Sequence, residues 1–350
     1  WIIRRSRKSL GRTISQSGLR SVLPPGIELI PGPGCPVCIC PEEEIYAAIR
    51  YALDEGLTVL AYGDMLRVVV NAPKGTPRTL EQARAAGGDV RPIASPLDAV
   101  AMAREQPRKK VVFLAAGFET TTAPLAAQVL QGLPPNLLLL MAGRLTWPAV
   151  AMLLQDGGAA FDALIAPGHV AAVMGAEQWR FVSDRHQLPA AVAGFSSESL
   201  LAALYAVCQQ RLEGTATLHN CYPEVVRPEG NHAAQRMLQQ VFTVQDATWR
   251  GIGTISASGY FLRPAWQAHD AAHQLPDYRE ESRRRAGEMP PGCGCTEVVL
   301  GRLYPDQCPL YGKACTPAEP VGPCMVSDEG ACRIWWHYRL VRKSDNRVEL

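Results

Sequence analysis

Short runs of consecutive apolar residues alternate along this chain with segments whose apolar positions recur every three to four residues. Ile27 to Ile30 predicts a strand, and it runs into Pro31-Gly32-Pro33-Gly34, a segment that only a tight loop accommodates. A helix follows, with Pro41 and three acids in its first turn and an apolar stripe of Ile45, Ala48, Ile49 and Leu53, ended by Gly56. Leu57 to Tyr62 and Asp89 to Ile93 predict two further strands, and a helix is expected around Leu97 to Ala103.

The charged stretch Arg104-Glu105-Gln106-Pro107-Arg108-Lys109-Lys110 breaks the pattern and predicts a domain boundary near residue 108. A second set then begins with Val111 to Phe118, a strand apolar on both faces, and a helix starting at Glu119. Leu137 to Met141, Ala163 to Ala166 and Ala190 to Ala193 predict three more strands. Each is followed by a glycine-containing turn: Ala142-Gly143-Arg144, Pro167-Gly168-His169-Val170 and Gly194-Phe195-Ser196-Ser197. After Glu213 regular alternation fades, apart from a helix near His232 to Val241. The expected class is α/β: two similar open parallel-sheet domains, 1–108 and 109–213, facing across a crevice, with a cysteine-rich third region, 214–350. Ligands in such sheets bind beyond the carboxyl ends of the strands.

At 350 residues the chain can bury more than one core, and a formal charge of +2 gives no reason to expect nucleic acid or an acidic membrane as partner. The run Arg4-Arg5-Ser6-Arg7-Lys8 reads as a solvated or frayed terminus. Apolar runs such as Val111 to Ala116 fall well short of the roughly 20 residues that a membrane-spanning helix needs. The opening residues lack the pattern of a secretory signal and the first residue is Trp1, so the chain reads as the inside of a longer gene product. Eleven cysteines without such a signal predict the reducing cytoplasm, where clustered thiols point to metal or redox chemistry.

Six of those cysteines, Cys293, Cys295, Cys308, Cys315, Cys324 and Cys332, crowd the tail. Three explanations stand at this point: an iron–sulfur cluster, a structural zinc, or a disulfide framework. Four thiolates complete a cubane, which leaves a pair over, and no short CxxC knuckle of the zinc-ribbon kind occurs there.

Elsewhere, Cys35-Pro36-Val37-Cys38 places a CxxC between a rigid turn and a helix start. That position suits a redox dithiol, although with Cys40 it also reads as half a metal site. Gly117-Phe118-Glu119-Thr120-Thr121-Thr122 puts a carboxylate and three hydroxyls at a strand-to-helix turn. Plain helix capping and presentation of N–H groups to a polar ligand are both open. His169 follows a buried strand, as a ligand-binding imidazole or as an ordinary hydrogen-bonding one. Walker, GxGxxG, GxSxG and HExxH motifs are all missing, so hydrolase and nucleotide-transfer readings fall away.

Taken together, GPGCPVC at 32–38, GFETTT at 117–122, PGHV at 167–170, Glu229-Gly230-Asn231, Trp249-Arg250-Gly251-Ile252-Gly253 and the run from Cys324 to Cys332 resemble the HypD family of hydrogenase formation proteins, from about Ser17 onward. The resemblance implies a cytoplasmic scaffold on which the Fe(CN)2CO centre of nickel–iron hydrogenase is assembled. Its implied partners are a HypC-type chaperone, a HypE-type cyanide donor and, indirectly, the hydrogenase large subunit. It also implies 4Fe-4S ligands at Cys293, Cys308, Cys315 and Cys332, an additional thiol pair at Cys295 and Cys324, and a redox dithiol at Cys35 and Cys38. Electrons would pass from cluster to dithiol, a logic similar to that of ferredoxin–thioredoxin reductase. His169, Glu119 and Thr120 would line the crevice, the first two orienting or protonating bound groups.

One departure stands out. Upstream of Ser17-Gly18-Leu19-Arg20 the family carries an EVCGxHT-type motif with an iron-binding cysteine and a nearby histidine, and ungapped counting puts Arg7 and Leu10 there. A truncated or frame-shifted start, or a paralogue that acts as a cluster-dependent thiol–disulfide oxidoreductase without loading iron, accounts for the difference. A zinc-stabilised binding module is a third reading. Cys221 is expected to be a buried, inert thiol.

Overall fold

The computed structural model describes residues 2–5, 27–73, 75–155, 161–283 and 289–338. Its strands in chain order are β1 (Ile2–Arg5), β2 (Ile27–Ile30), β3 (Thr58–Tyr62), β4 (Val90–Ile93), β5 (Val111–Gly117), β6 (Leu137–Arg144), β7 (Ala163–Pro167), β8 (Ala190–Ala193), β9 (Leu218–Asn220), β10 (Phe242–Trp249) and β11 (Gly253–Leu262). They form two sheets, one ordered β2-β1-β7-β8-β9 and the other β10-β11-β6-β5-β3-β4. The α/β class holds.

β5 is the spine of the six-stranded sheet because both of its faces are apolar. Val112, Leu114 and Ala116 pack into one core and Val111, Phe113 and Ala115 into the other, as side chains that alternate across a strand must. It pairs in parallel with β3 on one side and β6 on the other, with Val111 opposite both Thr58 and Leu137. Helices Pro96–Glu105, Glu119–Gln131 and His232–Val241 contribute to the second core, and Glu42–Leu53 to the first. The helix Pro96–Glu105 starts on a reciprocal cap: Ser95 Oγ accepts the Asp98 N–H and the Asp98 carboxylate accepts the Ser95 N–H. Among the described residues, no helix is long and apolar enough to cross a membrane.

The domain plan differs from the expected one in three respects. First, the boundary near 108 falls between two paired strands, β3 and β5, of a single sheet. The charged stretch is the exposed link from a helix end to β5, and its Lys110 carbonyl accepts the Thr58 N–H at 3.2 Å. Second, the region after 213 is shared out. β9 extends the five-stranded sheet, and the β10–β11 hairpin closes the other by pairing Gly259 with Arg144 and Tyr260 with Gly143. That pairing also carries β6 through Arg144, where a turn was expected. Third, both sheets are mixed: β1 pairs antiparallel with β2 and β7, so Arg4 and Arg5 lie in a strand, while β7, β8 and β9 run parallel.

Candidate functional site

The loop after β2 turns through Pro31 to Gly34 and delivers Cys35 as the N-cap of a one-turn helix, Pro36–Ile39. Pro36 opens the turn with its φ already set, so Cys38 falls one turn later on the same side. The two cysteines are disulfide-bonded with Cα atoms 5.3 Å apart, and the Cys38 N–H donates to Cys35 Sγ at 3.2 Å. Both are buried in the first core, which also holds Phe118 just after β5 and Trp249 at the end of β10, whose rings lie 5.9 Å apart.

The same core contains Cys295, Cys315, Cys324 and Cys332, with Cys293 packed on its edge. The short helix Pro323–Val326, which carries Cys324, packs directly on the helix Pro36–Ile39. The structure therefore places the front dithiol, Cys295, Cys315, Cys324 and Cys332 in one apolar core with Cys293 at its edge, while Cys308 is buried outside that cluster.

Within the tail the thiols are mutual neighbours. Cys295 and Cys324 both hydrogen-bond Cys332, and these bonds hold the Cys332 thiol below its ordinary value. Cys324 is pushed up by the same contacts with Cys295 and Cys332 and by burial, and Cys293 by its hydrogen bond with Cys295 and then by burial. Burial also raises Cys315. Backbone N–H groups point at two of the sulfurs, Gly294 at Cys308 (3.3 Å) and Val321 at Cys315 (3.4 Å). A Cβ on Gly322 would sit 2.5 Å from the Sγ atoms of both Cys293 and Cys295, so this backbone must be bare for the thiols to converge.

Among the described residues, no three His, Cys, Asp or Glu side chains close on a site for a single metal ion. An all-sulfur donor set with N–H groups aimed at the sulfurs fits a cluster that spreads its thiolates over several irons.

The remaining predicted residues are placed differently from one another. Glu119 is fully buried at the start of its helix, and its two oxygens accept the Thr146 N–H and hydroxyl, each at 2.7 Å. It caps the next helix, Thr146–Gln155, instead of facing an open crevice, and burial pushes its carboxyl up. The hydroxyls of Thr121 and Thr122 donate to the Phe118 carbonyl, at 3.0 and 2.9 Å, while Thr120 is half-buried on the first turn. His169 is exposed, and its ring meets Phe195 edge-on at 4.3 Å. The helix Gly168–Met174 that carries it packs on the helix Glu119–Gln131. Cys221 is half-buried and, like Cys208, raised by burial. Arg7 and Leu10 lie outside the described residues.

Sequence reasoning missed a set of buried charges behind the dithiol. Glu42, Glu43 and Glu44, read as ordinary first-turn acids, are all buried, as are Arg144 and Arg250. Arg250 bonds Glu42 Oε2 (3.1 Å) and the Val69 carbonyl (2.6 Å) through Nη2, and its N–H donates to the Ile39 carbonyl (3.0 Å). Asn71 donates to Glu42 from its backbone (2.8 Å) and its side chain (3.2 Å). Arg144 donates to the Thr248 and Gly143 carbonyls. Cys40, fully buried among these groups, is pushed up to about 12 by burial. The available signal was Trp249-Arg250-Gly251, an arginine enclosed by apolar and glycine positions.

The family described as "Hydrogenase formation hypA family", HypD, matches residues 9–339. A Methanocaldococcus jannaschii protein named for hydrogenase expression and formation is 38% identical over 334 residues, spanning 94% of this chain and 89% of that protein. The hydrogenase maturation factor HypD of Rhodobacter capsulatus is 37% identical over 337 residues, 95% of this chain and 88% of its own length. That of Escherichia coli K12 is 37% identical over 331 residues, with 93% and 86% covered. The match over residues 9–339 and relatives 37–38% identical over more than nine-tenths of this sequence show the family: the chain belongs to the HypD family of hydrogenase formation proteins.

Proposed function

We propose that this chain serves hydrogenase maturation as a thiol-based redox scaffold on which the Fe(CN)2CO unit is built as cargo. Cys293, Cys308, Cys315 and Cys332 would hold a 4Fe-4S cluster, which supplies electrons when bound. Cys295 and Cys324 form the intervening thiol pair, and the Cys35–Cys38 disulfide is the acceptor. That disulfide takes up two electrons and one proton, its S–S bond breaks, and Cys35 is left as thiolate with Cys38 as thiol. The Cys38 N–H bond to Cys35 Sγ favours the anion at that position. His169, exposed at its helix start, is available to move a proton at the surface, while Glu119 holds the adjoining helix in place. A HypC-type chaperone and a HypE-type cyanide donor are the proposed partners and the cytoplasm the proposed compartment.

The observation that carries this reading is the direct packing of the Cys324 helix on the CPVC helix. Anaerobically prepared protein should contain about four irons and four sulfides per chain. Cys308→Ala or Cys315→Ala should remove them and Cys35→Ala should not; oxygen-free protein without inorganic sulfide would overturn the reading.

A second reading, a cluster-dependent thiol–disulfide oxidoreductase that loads no iron, draws on Arg7 and Leu10. Arg7→Cys with Leu10→His separates the two: restoration of hydrogenase maturation in a strain lacking the native factor, by the double variant alone, favours this second reading for the chain as it stands.

A further inference from the structure

The turn joining β10 to β11 is wedged between the two sulfur groups. On one side the Arg250 N–H holds the Ile39 carbonyl, one residue beyond Cys38. On the other, a Cβ on Gly251 would collide with Thr296 Oγ1, next to Cys295, and would meet Met289 at 2.8 Å. The Arg250 side chain is completely shielded from solvent and its ion-pair partner Glu42 nearly so, at 0% and 5% exposure. Glu42 begins the helix that follows the CPVC turn, so both charges are tied to the backbone of the dithiol segment. Arg250 also acts electrostatically on Cys40 and on Cys293, which places its charge between front and tail. Glu43, Glu44 and Arg144 face the same space, and Arg279 reaches Glu44 at 4.0 Å.

Resting on the redox reading above, we infer that the buried Arg250–Glu42 pair sets the reduction potential of the Cys35–Cys38 couple, each member displacing it in the opposite direction. Opening the disulfide creates one negative charge in a low-dielectric core. A fixed cation nearby favours that product and a fixed anion opposes it, with little screening by salt. The paired state holds the couple near balance, and the two backbone attachments keep both charged residues against the dithiol segment.

The test equilibrates oxygen-free protein with defined ratios of dithiothreitol to its cyclic disulfide. In each event dithiothreitol loses two electrons and two protons; the protein takes both electrons and one proton, and the other proton enters solution. The open fraction is read from maleimide labelling of the peptide containing Cys35 and Cys38. Glu42→Gln should make the disulfide about tenfold easier to open and Arg250→Met about tenfold harder, shifts of about 30 mV in opposite directions for this two-electron couple. Arg250→Lys should stay near the wild type, and Arg250→Met combined with Glu42→Gln should return close to it. Should loss of the cation beside buried Glu42 prevent Arg250→Met from folding, Glu42→Gln and the double variant still decide the matter. Equal shifts of one sign, or none, would overturn the inference, because loss of packing alone has no sign to reverse. A wild-type disulfide that stays closed at every ratio would overturn the redox reading itself, and this inference with it.

Discussion

Glu119 caps a helix that is not its own: one carboxylate oxygen accepts the Thr146 N–H and the other the Thr146 hydroxyl, both at 2.7 Å and both out of reach of water. This bracket ties the end of β5 to the end of β6.

Replacing Glu119 by Ala leaves a buried N–H and hydroxyl without their acceptor, and the expected loss is about 1–3 kcal/mol of stability. Glu119→Gln keeps one acceptor oxygen and should cost less. Urea unfolding followed by circular dichroism measures both; equal stability of Glu119→Ala and wild type would show that the cap contributes nothing.

Gly322 faces two sulfurs at a distance no Cβ tolerates. Gly322→Ala should therefore lower iron and sulfide content in anaerobic preparations while the far-ultraviolet spectrum stays the same. Unchanged metal content would mean that the tail relaxes around the added methyl group.

Leu114 is fully buried at the centre of β5. Truncation to Ala in so closely packed a position should cost about 2–5 kcal/mol, read from the urea midpoint. A cost below about 1 kcal/mol would mean that the core collapses around the gap.

Asp89 supplies the pH test. Its hydrogen bond from Arg91, at 2.7 Å, with those from Thr58 and Lys109, holds the carboxyl at about 2, below the ordinary 3.8. The folded state thus binds this proton more weakly than the unfolded chain. The stability it contributes is complete above about 3.8 and is lost as pH falls toward 2. Asp89→Asn should flatten the acid limb of a stability–pH curve in that window and leave the rest of its shape alone.

Much of this was legible in the chain. The strand at 111–117 and the helix starting at Glu119 follow from an apolar run buried on both faces and the turn after it. That Cys35 and Cys38 share a core with tail thiols was expected only from the resemblance, because thiol chemistry alone left cluster, zinc and disulfide readings open and does not say which distant segments meet. The β10–β11 hairpin was not legible, since Val244, Gln245 and Asp246 lie exposed in the middle of β10 while β11 buries Ile255 and Ser258 to Tyr260, so neither strand carries a clean alternation. Arg250 and Glu42 were hidden for a different reason. Charges are read as surface, and these two are 208 positions apart, so only tertiary structure shows that they neutralise each other in the core. The boundary near 108 misled because local charge marks exposure, whether or not a sheet continues beyond it.

The late arrival of residues 253–262 has a consequence for biosynthesis. Until the ribosome has delivered β11, the Gly143–Arg144 end of β6 lacks the partner that covers it, and β10 has nothing to lean on. Strand edges left open in this way invite pairing with other chains. A nascent polypeptide of this kind is most vulnerable to aggregation over the long interval between translation of the fourth parallel strand and translation of the hairpin.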